Sequence, residues 1–584
     1  MLTTPAGLQS TASLARRRAF VLALNVAVWA GLVSWMAYIL SSGGWTALDA
    51  VVLLCFAVGS PWTVLGVSNA VIGFIMLHRR PGLTGDAVPF LEASGSDASI
   101  EIQTAVLMTL RNEDPSRALL RLKTVKRSLD ATGSGTRFSY FVLSDTDRAE
   151  TAAAEERAIA AWRAADRDRD RIHYRRRSSN AGFKAGNVRE FCASFGHAFE
   201  LMLPLDADSL MTGRAIARLV RIMQAYPKIG ILQSLVVGTP SASPFARLFQ
   251  FGMRLGMRTY TMGQAWWVGD CGPYWGHNAL VRIKPFMDHC ELPVLRGAPP
   301  LGGPVLSHDQ VEATLMRRAG YEVRVMPVED GSFEDNPPDV LEFIRRDVRW
   351  CQGNMQYLKL LNLPGLKPVS RFQLLWAILM FLGVPAWTVM IACLPAVTAN
   401  ALSIADFPFA AAKGLYVTFF FMYLAPKIAG AADTLTRSSE VRRFGGFTMF
   451  LPNVIVEIVF SFLLGAISTI RTTIFMGGLL FGQSVLWSGQ ERDARGLRWR
   501  AATDALWPQT LFGLIICAAL YAVSPTALLW SLPLTAGYIA AIPLAVLTAS
   551  PRVGAWMQTR GIAAIPEDFE TVAEIAAVDA REAA

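Results

Sequence analysis

Two acids separated by one residue follow a short apolar run in the segment LMLPLDADS, which places Asp206 and Asp208 at the end of a predicted buried strand. Two carboxylates this close can direct their oxygens at one hard cation, which itself bridges a diphosphate. Alternatively, Asp208 caps the helix that is predicted to start near Thr212, because Asp is a preferred N-cap residue. The pair therefore indicates a metal-diphosphate site without establishing one.

A lysine between two glycines is a candidate phosphate-binding residue. Lys184 lies in GFKAGN, flanked by Gly182 and Gly186 just before a predicted helix. Backbone amides at a helix start and an ammonium group can together bind phosphate. The alternative is an ordinary exposed lysine at the start of a helix.

Asp309 in the segment SHDQVEATLMRRAGY opens a predicted helix whose apolar face includes Val311, Leu315 and Met316. A carboxylate at this position is a candidate general base, provided that its oxygen comes within hydrogen-bond reach of an acceptor hydroxyl. The alternative is an acid that only complements the positive end of the helix dipole.

The segment RRDVRWCQGN places Arg346, Arg349 and Trp350 on one face of a predicted helix, and Gly353 continues that stripe. Two guanidinium groups beside an indole can bind a pyrophosphate leaving group and form the floor of a sugar site. The glycine leaves room for a ligand or a close neighbour. An amphipathic helix on a membrane surface would show the same pattern, and one helix can serve both purposes.

Alternating strands and helices are predicted to position these residues. The predicted strands are residues 103–110, 138–143, 172–176, 199–205 and 229–237, and the helices between them are residues 116–129, 151–165, 184–195 and 213–225. This alternation predicts a mostly parallel sheet covered by helices on both faces. Ligands bind beyond the carboxyl ends of such strands, so Asp145 and Asp206 are expected at one edge of the sheet.

The composition points to a membrane protein. Of the 584 residues, 52% are hydrophobic and only 17% are charged, and the mean hydropathy is +0.34. Two apolar runs, residues 19–40 and 50–77, precede the globular region, and each is long enough to cross about 30 Å of hydrocarbon. A cleaved signal peptide is the alternative for the first run, but the run is long for a signal core and a second span follows it.

The predicted topology has eight spans with both termini inside. Four single spans are expected at residues 372–394, 410–428, 508–523 and 528–547. Residues 450–487 are flanked by arginines on both sides, so they are expected to cross twice, with a turn near Arg471. Arg16, Arg17 and Arg18 place the N-terminus inside, and membrane topology therefore explains the net charge of +9 without a nucleic-acid partner.

The predicted organisation has five parts: two transmembrane helices in residues 1–77, a cytoplasmic domain in residues 78–336, an amphipathic interface helix in residues 337–370, transmembrane helices 3–8 in residues 371–550, and a cytoplasmic tail in residues 551–584. The seven cysteines are scattered without metal-like spacing, which is typical of unpaired thiols in a reducing compartment or a membrane core.

Taken in order, the motifs resemble a family 2 inverting glycosyltransferase of the processive, membrane-embedded kind, related to cellulose and hyaluronan synthases. The chain is similar to the glucans biosynthesis glucosyltransferase H family, which makes the backbone of osmoregulated periplasmic glucans. The resemblance depends on the sequence segments LMTLRNEDPSR, FVLSDT, GFKAGN, LDADS, GHNALVR, SHDQVEATLMRRAGY and RRDVRWCQGN. The resemblance implies a cytoplasmic α/β glycosyltransferase domain of the GT-A type, inserted in a polytopic α-helical membrane domain of about eight spans.

The resemblance also implies roles for individual residues. Asp309 would be the catalytic base, and Asp206 and Asp208 would bind Mg²⁺ or Mn²⁺. The donor nucleotide sugar would contact Asn112, Glu113, Asp145, Lys184, Asp206, Arg346 and Arg349. The acceptor would contact Trp275, His277, Asn278 and Trp350.

The implied activity is transfer of glucose from UDP-glucose to a growing β-linked glucan, β-1,2 by family resemblance, with export across the bacterial inner membrane. Membrane lipids and a periplasmic glucan-processing protein are the implied partners, and no nucleic acid is implied. The motif Ser307-His308-Asp309 departs from the usual Thr-Glu-Asp, and Arg346 replaces a usual Gln. Two alternatives stay open: a transferase that adds one sugar to a lipid or lipid-linked acceptor, and a non-enzymatic transporter or receptor with a nucleotide-sensing domain.

Overall fold

Eight strands form one sheet in the globular part of the chain. The computed structural model describes residues 8–79, 83–91, 98–485 and 495–582. The strands are β1 (Thr104–Leu110), β2 (Phe138–Ser144), β3 (Ile172–Arg176), β4 (Leu201–Leu205), β5 (Leu210–Met211), β6 (Ile229–Gly238), β7 (Ala279–Arg282) and β8 (Glu322–Glu334). Their order in the sheet is β3-β2-β1-β4-β7-β6-β8-β5.

The sheet is mostly parallel, as predicted. β1 pairs in parallel with β2 and β4, β2 with β3, and β6 with β8. Only β7, between β4 and β6, and the short β5, beside β8, run antiparallel. The six strands that share a direction therefore end at one edge, where ligands of such sheets bind. The sequence prediction missed β5, β7 and β8, because the first two are short and β8 alternates polar and apolar residues only in its first half.

Helices cover both faces of the sheet. Alternate residues of β1 face opposite ways: Val106 and Met108 join one core, and Ala105 and Leu107 join the other. The helices of the globular part are α4 (Leu83–Ala87), α5 (Pro115–Ala131), α6 (Ala149–Ala165), α7 (Phe183–Phe195), α8 (Gly213–Ala225), α9 (Pro244–Val268), α10 (Ile283–His289), α11 (Asp309–Arg318) and α12 (Val340–Met355). The first core lies under α5 and α8, and the second lies under α7 and α11.

Long apolar helices flank the globular part. They are α1 (Thr11–Leu40), α2 (Ala47–Gly59), α3 (Pro61–His78), α13 (Pro368–Ser403), α14 (Phe409–Leu435), α16 (Phe447–Leu480), α17 (Trp499–Val523), α18 (Pro525–Ile539) and α19 (Ala541–Thr548), with the short α15 (Ser438–Arg443) between α14 and α16. In the described part of the chain, six helices are long and apolar enough to cross a membrane when α2 and α3 count as one. The pair α18 and α19, bent by 57°, raises the number to seven.

The predicted double crossing in residues 450–487 is wrong. Residues 447–480 form one continuous helix, α16, with no turn near Arg471; residues 486 and 487 lie outside the described residues. The start of α16 contacts the C-terminal region, where Asn453 donates a hydrogen bond to the carbonyl of Gly561. Its end packs beside α12, where Leu479 joins the core that contains Cys351. The arginines on both sides of this segment therefore do not mark two crossings joined by a turn.

Both ends of the described chain contact the globular part. Arg17 near the start of α1 donates a hydrogen bond to the carbonyl of Trp266 in α9. At the other end, α20 (Pro551–Thr559) and α21 (Ala573–Glu582) fold back, and Asp568 between them lies 3.0 Å from Arg247 of α9. The side chains of Ile575 and Val578 in α21 are buried in the first core of the sheet. The segment predicted as a tail is therefore an integral part of the globular fold.

Candidate active site

Asp145 lies just beyond the carboxyl end of β2, as the strand pattern predicts. Arg177 binds it with two parallel hydrogen bonds, Nε to Oδ1 at 2.7 Å and Nη2 to Oδ2 at 2.8 Å. Both side chains are 5% exposed. Paired geometry of this kind is the strongest form of ion pair and fixes the direction of the carboxylate. Sequence reasoning missed Arg177, which stands one residue after β3 at the same edge of the sheet.

Asn112 connects the ends of β1 and β2. Its backbone adopts a left-handed conformation (φ 56°), and its amide group donates to Asp147 at 2.7 Å. Its amide oxygen accepts hydrogen bonds from the backbone N–H groups of Asp147 and Arg148. Glu113 is half-buried beside it. The side chain of Asn112 thus holds the loop around Asp145.

The ammonium group of Lys184 binds the Asp206 carboxylate. Lys184 is the second residue of α7, and Asp206 directly follows β4, so the two motifs meet at the edge where Asp145 lies. Asp208 is half-buried two residues on, and its backbone carbonyl accepts a hydrogen bond from Arg121 of α5. Thr212, rather than Asp208, caps α8, because its hydroxyl accepts the N–H of Ala215. The capping alternative for Asp208 is therefore excluded.

The donor atoms of Asp206 and Asp208 determine which metal ion these residues could bind. Within the described residues, no three His, Cys, Asp or Glu side chains form a group that could hold a metal ion. Asp206 and Asp208 offer carboxylate oxygens, the donors that Mg²⁺ and Mn²⁺ prefer, and such ions commonly take their other ligands from diphosphate and water. The pair therefore fits a divalent ion that binds together with a nucleotide diphosphate.

Asp309 is the first residue of α11, and it faces the turn that precedes β7. Gly276 in that turn has a φ of +82°, and a Cβ at its position would lie 3.4 Å from Cβ of Asp309. Buried Tyr274, in the same turn, lies near both Asp309 and Asp206. Burial first, and then the carboxylates of Glu312, Asp309 and Asp206, raise the pKa of its phenol well above the ordinary value. Asp309 and Asp206, which Lys184 binds, therefore both act electrostatically on one buried side chain.

Helix α12 contributes a stacked arginine and tryptophan. The guanidinium of Arg346 lies 4.8 Å from the ring centre of Trp350, which is 49% exposed, and 5.7 Å from that of Phe249. Burial lowers the pKa of Arg346, and the nearby carboxylates of Glu334, Asp347 and Asp208 oppose this effect. Arg349 is half-buried on the same helix. Arg346 therefore lies within electrostatic reach of the acids at the sheet edge.

Comparisons with known proteins identify the family of this chain. Residues 105–290 match the family described as glycosyl transferase family 2, and residues 201–425 match glycosyl transferase family group 2. A protein named glucans biosynthesis glucosyltransferase H from Xanthomonas campestris pv. campestris (strain B100) is 35% identical over 562 residues, covering 94% of this chain and 86% of the relative. A protein of the same name from Caulobacter vibrioides (strain NA1000 / CB15N) is 36% identical over 560 residues, covering 92% and 83%.

The chain belongs to the glucans biosynthesis glucosyltransferase H family. It is a membrane glycosyltransferase of family 2 that acts in glucan synthesis. A solved mannosyltransferase, PcManGT from Pyrobaculum calidifontis in complex with GDP-Man and Mn²⁺, is 16% identical and covers 63% of this chain and 99% of its own, with a TM-score of 0.34. That likeness is too distant to carry an argument.

Of the four acceptor residues that family resemblance implies, Trp350 lies on α12, and the other three lie in one turn of this glucosyltransferase but differ in exposure. Trp275 and His277 are half-buried, and Gln233 of β6 holds the turn by accepting from the N–H of Trp275 at 2.8 Å and donating to the carbonyl of His277 at 3.1 Å. Asn278 is fully buried, and its amide group donates to Ser332 at 3.0 Å. The structure therefore places Asn278 as a support for the turn, away from the exposed surface.

Glu334, at the end of β8, is a further candidate site residue that sequence reasoning missed. Its carboxylate lies 3.4 Å from Nε2 of His277. Burial raises the pKa of Glu334; His277 and Arg346 lower it, and Asp208 and Asp206 raise it. Glu334 thus lies between the predicted acceptor turn, the metal pair and α12. In the sequence, Glu334 shows only as an acid that follows an apolar residue in GSFED. That pattern identifies a candidate site residue only when β8 is known to end at the same edge of the sheet as β1, β2 and β4.

Proposed function

We propose that this chain is an inverting glucosyltransferase that polymerises glucose from UDP-glucose into a β-linked glucan, the β-1,2 backbone of osmoregulated periplasmic glucans. The observation that carries the proposal is that Asp309 contacts the turn of Tyr274 and Gly276, and that Asp309 and the Lys184-bound Asp206 both act electrostatically on Tyr274. A base and a diphosphate-binding pair at one place are the two requirements of transfer from a nucleotide sugar.

The chemistry follows from those positions. The acceptor hydroxyl gives its proton to the Asp309 carboxylate while its oxygen attacks C1 of the donor glucose, and the bond between C1 and the diphosphate oxygen breaks. One displacement at an α-linked donor carbon yields a β-linked product. The negative charge that develops on the departing UDP faces Lys184, Arg346 and Arg349, which stabilise it electrostatically. No general acid is needed, because UDP leaves as a stable anion.

A bound Mg²⁺ or Mn²⁺ ion, held by Asp206 and Asp208, would supply further neutralisation of the diphosphate charge. Asp145, fixed by Arg177, and Asn112 with Glu113 would hold the nucleoside end of the donor. Trp275, His277 and Trp350 would contact the acceptor glucan. For Asn278 we now propose a supporting role behind that turn, since its side chain is fully buried.

The long helices support an enzyme of the bacterial inner membrane, with the globular part and both chain ends in the cytoplasm. The growing glucan would leave through the helices next to α12, and a periplasmic glucan-processing protein would receive it. α12 supports this route, because it carries Trp350 and packs directly against α16 through the hydrogen bond from Thr472 to Asp347 at 3.3 Å.

The test uses membranes that contain the full-length protein, radiolabelled UDP-glucose and Mg²⁺. We expect labelled polymer whose methylation analysis gives 2-linked glucose. The Asp309→Asn variant should make at least 100-fold less polymer, and the matched surface variant Asp288→Asn should equal the unaltered protein. Label in a lipid fraction alone would replace the proposal with single-sugar transfer. Incorporation only from another sugar nucleotide would refute the donor assignment.

A further inference from the structure

His308, the residue before the proposed base, forms a buried pair with Glu312 one turn further along α11. Nδ1 of the imidazole lies 2.9 Å from Oε2 of Glu312, and the two side chains are 15% and 4% exposed. The mechanism above uses neither side chain of the pair.

The pairing determines which ring nitrogen loses its hydrogen first. A carboxylate can only accept, so Nδ1 of His308 keeps its hydrogen in both the charged and the neutral ring. The hydrogen on Nε2 is therefore present only while the ring is protonated. Among the residues that the structure describes, Nε2 has no hydrogen-bond partner. It is thus a donor that a bound ligand can use.

The surroundings of His308 favour the protonated form of its ring. Burial lowers the pKa of His308, but the carboxylates of Glu312 and Asp309 raise it more, and Lys184 of α7 opposes them, so that the pKa is above its ordinary value. The other titratable groups that face this pair act on Glu312 from neighbouring elements: the phenols of Tyr274 and Tyr357 and the thiols of Cys192 and Cys290. Their pKa values are all raised, so they are neutral, and the charge balance depends on the two acids and Lys184.

His308 and Asp309 meet the turn before β7 at one point. A Cβ at Gly276 would lie 3.8 Å from Cε1 of His308 and 3.8 Å from Oδ2 of Asp309. Cε1 is bonded to Nε2, so the free donor and the base carboxylate border the same glycine. A side chain at position 276 would fill the space in front of both groups.

We propose that His308 is a sugar-binding residue whose Nε2–H donates a hydrogen bond to the terminal glucose of the acceptor, on a hydroxyl next to the one that Asp309 deprotonates. Glu312 keeps that donor hydrogen in place. This assignment rests on the proposed function, and it adds a contact that depends on the charge of the imidazole.

The experiment measures initial rates in membrane vesicles that contain the full-length protein, with a β-1,2-linked glucose disaccharide as added acceptor, from pH 6 to 9. His308→Asn retains a donor to Glu312 but lacks the Nε2 position, so the KM for the disaccharide should rise at least tenfold while the KM for UDP-glucose changes less than twofold. His308→Gln places an amide near the Nε2 position and should recover at least half of the lost acceptor affinity.

Glu312→Gln retains a hydrogen-bond acceptor without its charge. In this variant the pH at which the acceptor KM begins to rise should move down by at least one unit. Asp270→Asn, which removes an acid 2.7 Å from Arg317 near the other end of α11, should leave that pH unchanged. An unchanged acceptor KM in His308→Asn, a change confined to the KM for UDP-glucose, or no pH displacement in Glu312→Gln would overturn the inference. Failure of the unaltered protein to use UDP-glucose would instead refute the proposed function.

Discussion

Gly353 of α12 lies directly against Ser307, two residues before Asp309. A Cβ at position 353 would stand 2.8 Å from both Cβ and Oγ of Ser307 and 2.9 Å from its backbone nitrogen. The glycine in RRDVRWCQGN therefore lets the helix that carries Arg346 and Trp350 approach the start of α11. The helix with the proposed diphosphate-binding residues and the helix with the proposed base are thus in direct contact.

Gly353→Ala should separate these elements by a few tenths of an ångström, because an added methyl group overlaps Ser307. We expect kcat to fall at least tenfold, since a small misplacement of reacting groups costs a large factor in rate. Polymer synthesis in membranes, normalised to the amount of folded protein, measures the effect. Gly256→Ala in α9, where an added Cβ meets no atom within 4 Å, is the matched control and should retain full activity. Equal activity of both variants would show that the contact is not required.

Arg177→Met should destabilise the nucleotide side of the site. The substitution leaves the Asp145 carboxylate, which is 5% exposed, without the two hydrogen bonds that now hold it. Removing one partner of a buried pair costs about 3–5 kcal/mol. We expect a lower unfolding temperature of the purified protein and a KM for UDP-glucose raised at least tenfold. Arg176→Met, next to it but 41% exposed, should change neither quantity. An unaltered KM for Arg177→Met would remove Asp145 from the donor site.

The segment between α20 and α21 should contribute strongly to stability. Arg254 lies between Glu329, at 2.6 Å, and Glu567, and Arg247 lies 3.0 Å from Asp568, with both arginines almost fully buried. The double variant Glu567→Gln and Asp568→Asn leaves these guanidiniums undercompensated, so the free energy of unfolding should fall by about 3 kcal/mol. Thermal unfolding in detergent measures the loss.

Glu570→Gln is the control for that experiment. Glu570 pairs with Arg443 at 3.2 Å, but the two side chains are half-exposed, and such pairs contribute at most about 1 kcal/mol. If the double variant unfolds at the same temperature as this control, the segment does not stabilise the globular part.

Asp347 predicts a dependence of stability on pH. Burial raises its pKa to about 6, and the hydrogen bond from Thr472 and the charge of Arg346 only partly oppose this. Because the folded state binds the proton more tightly than the unfolded state, stability falls as pH rises from about 4 to about 6 and is constant above. The total loss is about 3 kcal/mol at 1.36 kcal/mol per pKa unit.

Asp347→Asn should abolish that part of the pH dependence while it preserves the shape of the side chain. The measurement is the difference in unfolding temperature between the two proteins at pH 4.5 and pH 7. We expect the variant to be the more stable protein at pH 7 and the difference to shrink to less than half at pH 4.5. An equal difference at both pH values would mean that Asp347 titrates normally.

Local sequence patterns determined the strands that carry the nucleotide site. Buried runs such as TAVLMTL and FSYFVL can form only interior strands, and their carboxyl ends then deliver Asn112, Asp145 and Asp206 to one edge. The spacing of Arg346, Arg349 and Trp350 likewise determined their common helix face. Both conclusions depend on the side-chain period, which is two residues in a strand and 3.6 residues in a helix. These periods can be read from the sequence without knowledge of the tertiary structure.

Tertiary structure alone decided which side chains pair with those residues. Arg177 binds Asp145, Lys184 binds Asp206 and Glu334 faces His277 across sequence separations that no local period encodes. It also decided that α16 is one helix, because apolar length alone does not distinguish one long helix from two shorter helices joined by a turn. The physical reason is the same in both cases. Periodicity reports which face of an element is buried, and only packing between distant elements selects the partner on that face.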